Sequence, residues 1–269
     1  MKKEKKLENK IESKKLMTHI ILNYPNEKIA DLVVETLVKN GSDFVELQIP
    51  FSDPIADGSI ISNAADKVLE QGFKVGTAFK KAKEYGKKFP NTKFIFVLYA
   101  NTINSFGIRK FCENAKKSGV SGLIIPDLPF DSGEGSMTIT SCKENNLDFI
   151  PVVSPNTPVV RLQKLWQALQ PKTVYATAIA GITGTNVDKK DQNTFLKKYA
   201  NSLRNVFVDA NIAIGFGIKT AKDVRVIANY ADVVVVGSAI VKLISDSYKT
   251  PNKLKLDLGG LVIGFGKEL

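Results

Sequence analysis

Of the side chains that most often carry metal or nucleophile chemistry, this chain of 269 residues has few: one histidine and two cysteines. With only His19 available, a zinc centre or a serine–histidine triad has little to build on. Cys112 and Cys142 match no metal or disulfide spacing and fall in expected helices after apolar or small residues, so both read as packing. No apolar run approaches the roughly 18–20 residues that a membrane helix requires. The basic N-terminus, MKKEKKLENKIESKK, lacks the apolar stretch of a secretion signal, and the cytoplasm is the expected location. No G-x-G-x-x-G follows the first apolar run, which argues against a doubly wound dinucleotide-binding sheet.

Charge is not scarce. Lysine and arginine number 38 against 27 acidic residues, a net +11. The excess is spread over most expected helices, with seven lysines and three glutamates in the first fifteen residues contributing +4 of it. Such a surface suits solvation and would tolerate a phosphorylated substrate, but it does not identify a nucleic-acid face.

Eight short apolar runs recur along the chain: THIIL (18–22), DFVELQI (43–49), KFIFVLY (93–99), GLIIPD (122–127), DFIPVVS (148–154), TVYATAIA (173–180), NIAIGFG (211–217) and DVVVVGS (232–238). Near-continuous apolarity marks strands buried on both faces, as in a parallel sheet covered by helices. Between them, apolar residues return at helical spacing, as in Ile29, Leu32, Val33, Leu37 and in Phe195, Leu196, Tyr199, Leu203. Eight strand–helix units on this length predict an α/β fold, a (β/α)8 TIM barrel in one domain over 1–269. Residues 1–15 read as an extra N-terminal helix and LKLDLGGLVIGFGKEL as a glycine-interrupted last helix. Gly264-Phe265-Gly266 imitates Gly215-Phe216-Gly217 but has no helix after it, so it reads as a decoy.

Barrel chemistry sits where strands end. The second run ends VELQIPFSDPIADG (45–58), with Glu46 inside apolar neighbours and Asp57 on a loop stiffened by Pro50 and Pro54. A buried carboxylate either has its proton affinity raised for acid–base work or is paired for structural reasons, and the spacing leaves both readings open. Asp53 and Asp57 could equally be turn or cap residues. Later, Gly215–Thr220 and Gly237–Ile240 follow the last two runs, where barrels commonly bind phosphate through backbone amides and a helix N-terminus. After the sixth run, Ala180–Asn186 is glycine- and threonine-rich, as in a segment that closes over a ligand, or in a plain surface loop.

Taken together, ELQIPFSDPIADG, YAN (99–101), PDLP (126–129), GITGT (181–185), GFGI (215–218) and GSAIVK (237–242) resemble the tryptophan synthase alpha subunit family, co-linearly from about Ile20 to Ile244. The resemblance implies retro-aldol cleavage of indole-3-glycerol phosphate to indole and glyceraldehyde 3-phosphate, with no metal or organic cofactor. By motif position Glu46 would be the general acid/base and Asp57 would hold the indole N–H. Gly184, Gly217, Gly237 and Ser238 would ligate phosphate, Tyr99 would line the indole pocket, and Asp127 and Thr183 would help close the site. A pyridoxal-phosphate beta subunit would be the partner, in an alpha2beta2 complex faced by Asp53, Pro54 and Pro129.

Some positions depart from the family pattern. Gln48 stands for a glycine, Ser59 for a proline, and Ile179 and Ala180 for arginine and serine, while His19 and Asn23 also differ from the frequent choices. Two competitors follow. Another phosphate-binding barrel, such as a sugar-phosphate isomerase or epimerase or indole-glycerol-phosphate synthase, would share the late glycine turns but lack the Glu46–Asp57 pair. A non-catalytic regulatory partner of the beta subunit would bind ligand without turnover.

Overall fold

The apolar runs form strands that are all parallel: β1 Lys15–Ile21, β2 Phe44–Gln48, β3 Lys93–Val97, β4 Gly122–Ile124, β5 Asp148–Phe149, β6 Val152–Val153, β7 Thr173–Thr177, β8 Asn211–Gly215 and β9 Val233–Val236. This computed structural model describes residues 13–177, 189–215 and 217–269, with side chains from 193 onward in the second stretch. The order around the sheet is β5-β4-β3-β2-β1-β9-β8-β7-β6. β5 and β6 are the two halves of the single run DFIPVV. Pro151 has no N–H to give a ladder, so the run reads as two short strands. Ile150 N–H still reaches the Leu123 carbonyl at 2.9 Å and Tyr175 N–H reaches the Pro151 carbonyl at 2.9 Å, so this run links β4 to β7 and closes the ring. Eight staves result, as the eight runs predict.

Two apolar layers follow from the two faces of each strand. Leu16, Ile20, Val45, Leu47, Phe94 and Phe96 pack outward against the helices, whereas Met17, Ile95, Val97, Ile124, Ala213, Val233 and Val235 fill the lumen. Helix Glu27–Lys39 shows the local logic. The Asn26 side chain caps the Ile29 N–H at 3.0 Å, and Ile29, Val33, Val34 and Leu37 form the stripe that is buried.

Outside the barrel, Arg204 forks onto Asp232 at 3.0 and 3.1 Å, and Asp232 also accepts from the Ile212 N–H at 2.9 Å, tying helix Lys189–Val206 to the floor of β8 and β9. The last helix spans Pro251–Gly266 and packs on helices Glu27–Lys39 and Ser238–Ser247, with Phe265 of the decoy motif fully buried in the outer core. Cys112 and Cys142, 30 residues apart in sequence, meet as buried free thiols, Sγ to Sγ 4.0 Å, between helices Ile108–Lys117 and Gly133–Glu144. The extra helix expected over 1–15 falls outside the described residues as far as 12, and Lys15 already belongs to β1.

Candidate active site

β1 and β2 lie side by side with His19 opposite Glu46. Both side chains point into the lumen near the strand ends, and His19 Nδ1 sits 2.8 Å from Glu46 Oε2. His19 is 5% and Glu46 2% exposed, so this contact is formed away from bulk water. Burial alone would lower the imidazole pKa. The hydrogen bond and charge of Glu46, then the charge of Asp57 and the nearby Gln48 side chain, outweigh it and hold His19 above its usual 6.5. Of the two readings open for Glu46, neither its partner nor its position matches a structural lysine or arginine pair; the partner is the sole histidine.

Period two puts Gln48 on the same face as Glu46. Its Nε2 donates to Asp57 Oδ2 at 2.6 Å, and the Tyr99 hydroxyl donates to the same oxygen at 3.0 Å. Asp57 is therefore gripped from both sides rather than left as a cap of helix Ser59–Leu69, whose N-cap is Gly58. The carboxylates share a design. Each commits one oxygen to the protein, Oε2 of Glu46 and Oδ2 of Asp57, while Glu46 Oε1 has no protein partner among the described residues.

The two late glycine turns continue the same rim: β9 pairs with β1, and a Cβ on Gly237 would lie 3.4 Å from the His19 Cβ. Gly217 takes φ 51, in the left-handed region where a side chain costs energy. Gly237 precedes helix Ser238–Ser247, which has no side-chain cap, so its first amides face the cavity mouth with the positive end of the helix. A cavity of about 420 Å³ lies within this rim, and its lining includes His19, Glu46, Asp57, Gly217, Gly237 and Ser238. That volume suits a small phosphorylated ligand.

Other expected residues fall elsewhere. Tyr99, expected to line the indole pocket, is instead 1% exposed behind Asp57, stacked on Phe51 with ring centroids 5.1 Å apart. The reason is that its hydroxyl is spent on Asp57 and on the Ala56 N–H, which donates to it at 3.1 Å. Asp127 is not on the cavity wall; its Oδ1 accepts from the Ala100 N–H at 2.8 Å, fixing the start of helix Ala100–Phe106. Thr183 and Gly184, with Ile179 and Ala180, lie outside the described residues. Ser59 lines the cavity at the start of its helix. Asn23 takes φ 63 in the turn after β1, a backbone region asparagine tolerates better than most residues.

Sequence reasoning passed over Tyr175. It faces the lumen, lines the cavity, and its hydroxyl would lie 2.6 Å from any Cβ added at Gly215, so the glycine there makes room for it. Burial, then the charges of Glu46 and Asp57, push its hydroxyl pKa well above the ordinary value. The alternation in TVYAT, with Val174 and Ala176 buried outward, was the available signal.

A closed parallel barrel that brings two carboxylates and two glycine turns to one cavity at its strand ends defines an enzyme of the (β/α)8 class. Comparison with known proteins narrows this. Residues 5–259 match the family model described as tryptophan synthase alpha chain. The tryptophan synthase alpha chain of Petrotoga mobilis is 36% identical over 242 residues, 90% of this chain and 91% of that one. A crystal structure of the alpha chain from Legionella pneumophila superimposes with TM-score 0.83 at 25% identity, over 95% of this chain and 91% of the other. A chain of the Mycobacterium tuberculosis tryptophan synthase crystal structure, open form, gives 0.81 at 25% identity, covering 96% and 94%. The chain belongs to the tryptophan synthase alpha chain family. It is thereby a carbon–carbon lyase of tryptophan biosynthesis that cleaves indole-3-glycerol phosphate, which decides against the isomerase, epimerase and indole-glycerol-phosphate synthase readings.

Proposed function

We propose that Glu46 and Asp57 carry the cleavage while Gly217, Gly237 and Ser238 hold the phosphate. The observation behind this reading is that all five line one cavity. Glu46 gives a proton to the indole carbon that leaves and takes the proton of the adjacent glycerol hydroxyl as that carbon becomes an aldehyde. The bonding pair returns to the indole ring, and the two proton transfers cancel. General acid–base work of this kind contributes about 10²–10⁴-fold. Asp57 accepts the indole N–H and stabilises positive charge that develops only in the transition state. The amide cradle anchors the remote phosphate and so orients the bond that breaks. Tyr99 serves this chemistry by steadying Asp57, Gly184 joins the backbone amides that ligate phosphate, and Thr183 helps close the site.

This chemistry needs proton movement and charge stabilisation, which side chains supply, so the reading gives this chain no metal or organic cofactor. The partner is a tryptophan synthase beta subunit carrying pyridoxal phosphate, in an alpha2beta2 assembly in the cytoplasm. The loop Asp53–Pro54 and Pro129 form its docking face; Ile55, next to Pro54, is 76% exposed, an apolar side chain available for burial. The test is indole release from indole-3-glycerol phosphate by the native chain and by Glu46→Gln, with and without a beta subunit. Glu46→Gln binds substrate and releases no indole; normal turnover by that variant refutes the assignment.

A further inference from the structure

We propose that His19 is the proton partner of Glu46, a positioning residue that holds one carboxylate oxygen and lets the two side chains carry the catalytic proton as a unit. This rests on Glu46 being the acid–base group. The geometry is direct: Nδ1 to Oε2 is 2.8 Å, the two residues are in register on adjacent strands, and both line the cavity. The outer atoms of the pair, His19 Nε2 and Glu46 Oε1, are buried without a protein partner among the described residues. His19 therefore fixes which oxygen of Glu46 is left for substrate.

Neutralising a buried carboxylate needs only a fixed positive charge. Among the described residues no lysine or arginine lines this cavity, and the contact to Glu46 is made by the one histidine. Imidazole differs from those cations in exchanging its proton near neutral pH. Two groups this close titrate as a pair, with apparent values that belong to both. The loaded pair, imidazolium with carboxylate or imidazole with carboxylic acid, gives one proton to the indole carbon and recovers one from the glycerol hydroxyl. The cycle closes with no net proton.

The surroundings support this. The titratable groups facing His19 are Glu46 and, from the loop after β2, Asp57, with Tyr175 across the lumen and the polar Gln48 beside it. β9 and the turn after it offer Val235, Gly237 and Ser238, which do not titrate. The ionisable residues of the two helices packed on β1, Asp66, Lys67, Lys242 and Asp246, line a separate outer groove. The upward shift of the imidazole agrees with a pair that keeps its proton beyond 6.5.

The experiment combines two readouts on the full chain. As His19 is the only histidine, its ring resonances in a 15N or 13C NMR titration are unambiguous. They are expected to titrate above 6.5 in the native protein and to fall in Glu46→Gln, where only the smaller effects of Asp57 and Gln48 still oppose burial. Indole release is then followed from pH 5.5 to 9.5 for the native chain, His19→Phe and His19→Gln. Neither replacement exchanges a proton, so both shift the alkaline limb of kcat/KM down by about one pH unit and lower it at pH 8 by roughly 10-fold. A purely structural role lowers the rate without moving the limb. An unmoved limb, or a histidine titration indifferent to Glu46→Gln, overturns the pairing. If His19→Phe does not fold, His19→Gln and the NMR titration still decide. Turnover by Glu46→Gln sinks the acid–base assignment itself, whereas an inactive Glu46→Gln with an unmoved limb sinks only the role of His19.

Discussion

Replacing Tyr99 by phenylalanine removes one oxygen and nothing else, so it tests whether this buried ring acts through Asp57. The hydroxyl donates to Asp57 Oδ2 at 3.0 Å and accepts the Ala56 N–H at 3.1 Å. Ala56 is exposed, so water can take up its N–H, and the loss falls on the bond to the carboxylate. A hydrogen bond to a charged group contributes about 1.5–3 kcal/mol. Asp57 is half-buried and keeps Gln48, which favours the lower end, about 1.5 kcal/mol. At about 2–4 °C per kcal/mol for a domain near this size, the melting temperature drops by about 3–6 °C. If the same energy is lost from the transition state, kcat/KM falls by about 10-fold. The assay is indole release with calorimetry, repeated in an Asp57→Asn background, where the added loss is expected to shrink because the partners form one network. An equal loss in both backgrounds, or none in either, refutes the claim that Tyr99 works by holding Asp57.

Other outcomes follow from the same structure. Asp232→Asn removes the charge that meets the Arg204 fork while Asp232 is 7% exposed, and is expected to cost about 2 kcal/mol in urea unfolding with little change in substrate affinity. Gly217→Ala places a side chain at φ 51, so KM for indole-3-glycerol phosphate rises more than kcat falls; an unchanged KM would remove this turn from phosphate binding. Hydrogen bonds from Lys39 and Lys88 hold Glu35 at about 2, below its ordinary 4.5. A carboxylate depressed in the folded state stabilises above its unfolded value and loses that contribution as pH falls. The small melting difference between native and Glu35→Gln is therefore present above pH 4.5 and fades toward pH 2.

Much of the fold could be read from composition because a barrel strand is buried on both faces and spells itself as an apolar run. The fifth run was legible as one stave, but its break was not foreseen, since it depends on Pro151 standing where a ladder needs an N–H. Glu46 stood out as an acid among apolar neighbours, and Gln48 follows from period two. The His19–Glu46 contact was out of reach: it depends on the register of β1 against β2, and no pattern within either run fixes which residue lies opposite which. Tyr99 was misplaced for a related reason. A strand's last residues turn with the loop that follows, so which face a ring takes there is settled by partners such as Phe51 and Asp57. Asp127 likewise reads as a site residue in its motif and is drawn to the Ala100 amide in the fold.

An acceptor kept free inside the lumen has a thermodynamic side. Among the described residues Glu46 Oε1 is buried with no protein donor, and holding a carboxylate among apolar lumen side chains costs a fold free energy. Replacing both His19 and Glu46 by apolar side chains of similar volume, so that neither is left without its partner, is therefore expected to yield a sturdier, inert protein.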